Sequence, residues 1–333
     1  MVAVDAMGGD RAPTELVQGS LLALSRDPAL HLALVGPTAQ LAELLGGRSR
    51  SRLELEPSEG AIPMDAHPAQ AIRAHPRSSV GVGIGMVAGG RADALFTAGH
   101  SGAAMAAALV GLGRLPGISR PAIATPLPGP RGVTWLVDAG AQVDCKPEWL
   151  AQFAQLGSLY VELAQGRRRP RVGLLSNGAE ASKGNQLVQA AHRLIQGLEL
   201  NYAGPVEGTE LLSGELDVVV CDGFVGNVAL KTAEGVAEEV VSALRSELAR
   251  GVLSRAGALL LLPGMRRLRG RLDWRAVGGA PLLGVKGLVY IGHGRSDRAA
   301  VAAAVAAAAR AVRSGALSRM AGLGTPAPAP LGS

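Results

Sequence analysis

The sequence predicts an α/β fold in which a mostly parallel sheet is covered by helices on both faces. Two observations carry this. Continuously apolar runs of strand length recur along the 333 residues, most of them ending in Gly or Asp, and helix-period stretches lie between them. Strands apolar on both sides suit a sheet buried on both faces, and their alternation with amphipathic helices supplies the covering layers.

In chain order, the first strand is expected at 2–4 (Val-Ala-Val), closed by Asp5 and the pair Gly8-Gly9, with a helix at 14–24. A second strand, 32–35, is stopped by Gly36-Pro37, and a third, 94–97, ends at Gly99 and leads into an alanine-rich helix at 102–112. Strand 134–137 ends at Asp138 before a helix at 149–163. Strand 171–175 runs into Ser176-Asn177-Gly178 before a helix at 183–198. Strand 217–221 precedes a helix at 229–248, and strand 287–291 ends at Gly292. The alanine-rich run 299–313 has high helix propensity and reads as a helix packed on the sheet. Residues 323–333, which alternate Pro and Ala after 325, read as a disordered tail, leaving one domain over 1–322.

Composition narrows the function. The chain is 48% hydrophobic and 18% charged, too apolar for disorder throughout. No apolar run reaches the roughly 18 residues of a membrane span, and Met1 leads into a strand-like segment rather than a signal peptide, so a cytoplasmic protein is expected. Two cysteines, Cys145 and Cys221, are too few for a disulfide scaffold and lack metal-ligand spacing, so no metal is expected. The net charge of +6 is not spread evenly. Residues 251–275 carry six arginines against Asp273, a net of +5, leaving +1 for the rest of the chain. That is not the distribution of a nucleic-acid binder.

The chain holds 29 Arg but 4 Lys, and 4 Asn. All four lysines (Lys146, Lys183, Lys231, Lys286) and three asparagines (Asn177, Asn185, Asn227) lie near Gly, Pro or Asp in loop-like segments. An ammonium is a compact point charge that fits against an oxyanion where a guanidinium fork does not, so these positions are candidates for chemistry.

Five glycine-rich loops follow strands: Asp5 to Asp10, Ala98 to Gly102, Asp138 to Ala141, Ser176 to Asn185, and Asp222 to Asn227. Such turns expose backbone N–H groups at the positive end of a helix, where an anion is stabilised. Tight-turn geometry explains any one of them; as a set they are expected to share one anion-binding crevice. Other readings fit less well. Gly99-His100-Ser101-Gly102 places its second glycine one residue too early for a nucleophile elbow. Gly178 to Lys183 lacks the glycine and hydroxyl residue that flank a P-loop lysine. Cys221 reads as a small buried residue.

Taken in order, Asp5-Ala-Met-Gly-Gly-Asp10, Ala98-Gly-His-Ser-Gly102, Asp138-Ala-Gly-Ala, Val143-Asp-Cys-Lys-Pro-Glu148, Lys183-Gly-Asn185, Val220-Cys-Asp-Gly-Phe-Val-Gly-Asn227, Gly278-Gly-Ala-Pro-Leu282 and His293-Gly294 resemble the bacterial phosphate acyltransferases of the PlsX type. The resemblance implies a three-layer α/β/α fold like that of isocitrate dehydrogenase and phosphotransacetylase, and a homodimer. It implies acyl transfer from acyl carrier protein thioester to inorganic phosphate. The acyl phosphate would feed a membrane glycerol-3-phosphate acyltransferase of the PlsY type in phospholipid synthesis. The family's functional lysine and asparagine fall on Lys183 and Asn227. Expected phosphate or substrate contacts are Asp5, Gly8, Gly9, Gly99, His100, Ser101, Gly102, Asp138, Gly140, Gly178, Asn185, Asp222, Gly223, Gly226, Gly279, Ala280 and His293. The family more often has Asn and Thr where this chain has His100 and Ser101, which leaves the role of His100 open.

Phosphate is already an oxyanion at neutral pH, so attack on a thioester needs positioning more than a general base. The expectation is that Lys183 and the amides of Gly99 to Gly102 hold phosphate while Asn227 or Asn185 orients the carbonyl. No ATP or redox cofactor is required. In 251–275, apolar residues such as Leu260 and Leu261 interleave with Arg266, Arg267, Arg269 and Arg271, the pattern of an amphipathic helical hairpin around Pro263-Gly264. Reversible docking to an anionic membrane, contact with acyl carrier protein, and packing on a dimer partner all fit that pattern.

Overall fold

The computed structural model describes residues 1–46, 51–63, 65–251, 257, 263–264 and 278–323. Eleven strands form one continuous sheet. They are β1 (Val2–Asp5), β2 (Leu32–Gly36), β3 (Leu53–Pro57), β4 (Ala94–Thr97), β5 (Ala122–Pro128), β6 (Val133–Val137), β7 (Arg171–Leu175), β8 (Asn201–Val206), β9 (Val218–Val220), β10 (Ala280–Leu283) and β11 (Leu288–Ile291). Their spatial order is β3-β2-β1-β4-β11-β10-β5-β6-β9-β7-β8.

Each expected strand is present to within a residue at each end. Alternation decides which face each side chain covers. Val2 and Val4 join one core and Ala3 the other, as do Leu288 and Tyr290 against Val289 and Ile291. The first core is roofed by α1 (Thr14–Arg26), α2 (Thr38–Leu44), α6 (Pro147–Gln165), α7 (Gln186–Gln196), α9 (Arg298–Arg313) and α10 (Ala316–Gly322). The opposite face carries α3 (Pro68–Ala74), α4 (Ser79–Ala88), α5 (Ser101–Gly111) and the long α8 (Gly223–Ala249). This is the expected α/β/α sandwich.

Strand direction changes in the middle of the sheet. β3, β2, β1, β4 and β11 are mutually parallel, and β6, β9, β7 and β8 are mutually parallel. Between them, β11–β10, β10–β5 and β5–β6 are all antiparallel pairs. Three reversals make the two parallel halves run oppositely. The loops after β1, β4 and β11 therefore leave the sheet in one direction, and those after β6, β7 and β9 in the other. The expected crevice is thus built from two groups of loops.

The two halves are joined across the core by Tyr160 of α6 and Tyr290 of β11, whose hydroxyls are 3.0 Å apart and buried. Trp135 of β6 packs edge-on against Tyr160, with ring centroids 5.1 Å apart. Alanine 299–313 does form a helix, and its small side chains let α9 lie close on the sheet and on α1. The expected hairpin in 251–275, with Leu260, Leu261, Arg266, Arg267, Arg269 and Arg271, lies outside the described residues. So does nearly all of the expected tail.

Candidate active site

The group at the ends of β6, β7 and β9 is built around Asp138. Its carboxylate is fully buried and accepts four backbone N–H groups in five contacts: Ile123 at 3.0 Å, Gly140 at 3.1 Å, Ala141 at 2.9 and 3.0 Å, and Gln142 at 2.7 Å. Burial pushes its pKa up to about 6 against the pull of those donors, which favour the charged form. Asp138 thereby folds the loop 138–142 around itself instead of facing solvent.

That loop receives the start of α8. The Gly223 N–H donates to Gln142 O at 2.8 Å, and Asp222 caps the helix by accepting from Val225 N at 2.9 Å. A Cβ at position 226 would lie 1.9 Å from the Asp138 carbonyl oxygen, so no residue but glycine fits. The helix was expected from 229; it begins at Gly223 because Asp222 is a good cap. Gly223, Gly226 and Asn227 are thus helical, and exposed Asn227 is held against Gly140.

The β7 loop completes the group. Helix α7 begins at Gln186, not at 183, because Asn185 caps it by accepting from Val188 N at 2.9 Å. Lys183 and Gly184 consequently stay in the loop, which is closed by the Gly184 N–H donating to Asn177 Oδ1 at 2.8 Å. The Lys183 side chain lies over Gly178, where a Cβ would be 2.8 Å from Lys183 Cγ. The Lys183 ammonium is exposed and has no ion pair among the described residues. A cavity of about 370 Å3 opens beside it, lined among others by Ser176, Asn177, Asn185, Cys221 and Asp222. Ser176 Oγ is buried there without a hydrogen-bond partner among the described residues. Sequence reasoning passed over Ser176 as a turn residue; its orphaned hydroxyl becomes evident only with the loop closed. The free thiols are not poised for attack: burial pushes Cys145 up to about 12 and Cys221 well above its usual value.

The second group lies at the ends of β1, β4 and β11. Buried Asp5 accepts from Thr97 Oγ1 at 2.7 Å and from Met7 N at 3.1 Å, and burial raises its pKa. Gly8 and Gly99 meet here, since a Cβ at 8 would stand 2.7 Å from Gly99 N. The amides of this turn are largely taken. Gly99 N donates to Thr97 Oγ1 at 3.1 Å, and Gly102 N and Ala103 N donate to His100 Nδ1 at 3.1 and 3.4 Å. His100 is the N-cap of α5, a task an asparagine performs equally well. Gly9 lies against Gly294, and Asp5, Gly8, Gly9, Gly99 and His100 line a second cavity of about 140 Å3. His293 Nδ1 accepts from Arg295 N at 3.2 Å, and burial lowers its pKa.

Lys183, Asn227, Asp138, Gly140, Gly178, Asn185, Asp222, Gly223 and Gly226 therefore belong to one group, and Asp5, Gly8, Gly9, Gly99, His100, Ser101, Gly102 and His293 to the other. Lys183 and the Gly99 to Gly102 turn follow strands of opposite direction, and the first two turns of α8 bring their two groups together. Gly279 and Ala280 join neither. Ala280 pairs with Ile291 in the sheet, and Gly279 packs under Ala304 of α9. Helix α8 links the groups, with Asn227 at one and Lys231, Glu234 and Glu238 facing His293 and Arg295 at the other. No group of three or more His, Cys, Asp or Glu suited to a metal occurs among the described residues.

The solved structures that resemble this fold include a phosphotransacetylase from Streptococcus pyogenes (TM-score 0.64, 19% identity, 94% of each chain). A 4-hydroxythreonine-4-phosphate dehydrogenase from Klebsiella pneumoniae also matches (TM-score 0.54, 15% identity, 94% of this chain and 99% of that one). At these identities the likeness concerns the fold alone. Sequence relatives are closer. A protein named phosphate acyltransferase from Nostoc sp. is 44% identical over 93% of this chain and 92% of its own length. One of the same name from Pelotomaculum thermopropionicum is 46% identical over 93% and 91%, and one from Myxococcus xanthus 47% over 92% and 88%. The model of the family described as fatty acid synthesis protein matches residues 1–319. With near-complete coverage on both sides, the chain belongs to that family, the phosphate acyltransferases.

Proposed function

We propose that this protein transfers a fatty acyl group from an acyl carrier protein thioester to inorganic phosphate, giving an acyl phosphate for phospholipid synthesis. The observation that carries the reading is the cavity lined by Ser176 with its orphaned hydroxyl, Asn177, Gly184 and Asn185, in the loop that also carries the exposed Lys183, in a member of this family.

A phosphate dianion supplies its own nucleophile. Lys183 and Ser176 Oγ hold it, and a phosphate oxygen attacks the thioester carbonyl carbon to form the new C–O bond. Asn227, at the mouth of the α8 turn, donates to the tetrahedral oxyanion. The oxyanion collapses, the C–S bond breaks, and the sulfur leaves with the electron pair and takes a proton from solvent. Preorganised donors of this kind are each worth about 3–4 kcal/mol of barrier lowering. Nothing in the sequence requires a covalent acyl-enzyme, and the high thiol pKa values argue against one at cysteine.

The same reading carries a homodimer and reversible membrane association. The dimer is supported by the outward face of α8, where Phe224, Val228, Val236, Val240 and Leu244 are 41–60% exposed. No single helix among the described residues is long and apolar enough to cross a membrane. Attachment to an anionic surface would fall to the arginines of 251–275, and a membrane glycerol-3-phosphate acyltransferase would consume the product.

The test is acyl-phosphate formation, trapped as hydroxamate, from acyl carrier protein thioester with phosphate supplied or withheld. Product and free carrier thiol are expected together and only with phosphate. Thiol release that is indifferent to phosphate overturns the reading.

A further inference from the structure

We infer that Arg114, Arg120 and Lys286 form the surface on which the acidic protein carrying the acyl thioester docks, an inference that rests on the activity proposed above. Lys286 is remote in sequence from Arg114 and Arg120, yet a chain of contacts joins all three to the wall of the cavity beside Gly184 and Asn185. The Lys286 N–H donates to Gly113 O at 3.0 Å, and Arg114 bridges to Val285. The Arg114 guanidinium donates to the Ser119 carbonyl, and the next residue, Arg120, stacks its guanidinium 5.0 Å over Trp149. Trp149 N donates to Lys146 O at 3.0 Å, and the following residue, Leu150, lines the cavity.

Charge sets this surface apart. Arg114, Arg120, Lys146 and Lys286 are exposed and make no ion pair among the described residues, whereas Arg91, Arg131, Arg298 and Arg313 are each paired with a carboxylate. No Asp or Glu occurs in residues 101–137 or 278–296, the stretches that build it. Asp144 and Glu148 offset Lys146, so the excess lies with Arg114, Arg120 and Lys286. Unpaired cations at a rim, beside an exposed Val110, attract and orient an acidic partner while leaving the chemistry to the cavity. Inorganic phosphate is too small to use a rim of this breadth.

The experiment compares the wild type with the Lys286→Glu/Arg120→Glu double variant on two donors: acyl carrier protein thioester and an acyl-pantetheine thioester without the protein. The double variant is expected to raise KM for the carrier on the order of tenfold and to flatten its dependence on salt. Its KM for phosphate and its kcat/KM on acyl-pantetheine should match the wild type, which also shows that it is folded. An unchanged carrier KM in the double variant, with an active wild type, overturns the docking surface alone. No wild-type turnover of the carrier thioester overturns the activity and the surface together. Loss of binding to phosphatidylglycerol vesicles with an unchanged carrier KM assigns the arc to lipid and overturns the inference.

Discussion

The carbonyl oxygen of Asp138 occupies the space in which residue 226 would otherwise place a Cβ, 1.9 Å from that position. The first turn of α8 and the loop after β6 are therefore one unit: Asp138 receives the loop amides with its carboxylate and takes the helix against its own carbonyl. Asn227 is aimed by that contact. Gly226→Ala should cost about 3 kcal/mol of stability by overpacking and displace Asn227. Chemical denaturation with a parallel activity assay checks this, and an unchanged midpoint contradicts it.

Lys183 has the opposite profile. Its ammonium supports nothing in the fold, so Lys183→Ala should leave stability within about 0.5 kcal/mol of the wild type. Phosphate-dependent acyl transfer should fall by about 10²–10³. Lys183→Arg should not restore it, because a fork does not replace a point charge in the loop over Gly178. Full activity in the arginine variant would remove Lys183 from the phosphate site.

The buried carboxylate of Asp138 predicts a pH dependence with a definite sign. Its pKa rises from the ordinary 3.8 to about 6 on folding, so between these values the native state holds a proton that the unfolded chain has released. The contribution is fully present below 3.8 and is lost as pH rises to 6, with a slope of up to about 1.4 kcal/mol per pH unit. Thermal melts of wild type and Asp138→Asn from pH 4 to 7 should diverge across this window and run parallel above it. Curves parallel throughout contradict the raised pKa.

His100 acts through the backbone. His100→Asn should be neutral in stability, since the amide oxygen accepts the same two N–H groups, while His100→Ala should cost about 1 kcal/mol as a lost cap. Melting curves of the two variants decide the point; equal losses would show that the ring does more than cap.

Strands such as β1, β4 and β7 are legible in sequence because each is an unbroken apolar run with a polar or glycine stop. Four others are not, among them β10, only four residues long and beginning Ala280-Pro281. β3 alternates Leu and Glu at the sheet edge, and β8, at the other edge, contains Gly204 and Pro205. β5 holds Pro126 and Pro128, which read as a loop; they are tolerated because pairing with β10 is confined to Ala122 and Ile123. The glycine loops are visible one by one. Their division between strands of opposite direction is not, because that direction is decided by pairings such as Leu282 with Ile123, far apart in the chain. Nor does the sequence reveal that Gly99 and Gly102 spend their amides on Thr97 and His100, a matter of side-chain rotamers rather than spacing.

The threading of the sheet has a consequence for biosynthesis. β11 lies between β4 and β10, and α9 packs on α1 and β4, so a half-sheet begun at residue 2 waits for residues 280–313 before its central position is filled. The other half, β6 to β9 with α6 and α7, is complete in residues 133–220. Emerging from a ribosome, the later half can close while the earlier one still exposes the flank of β4. Long-range closure of this kind is slow, and the exposed strand edge is open to wrong partners. Until residues 288–291 arrive, that flank of β4 is an unpaired strand edge in the middle of the future sheet.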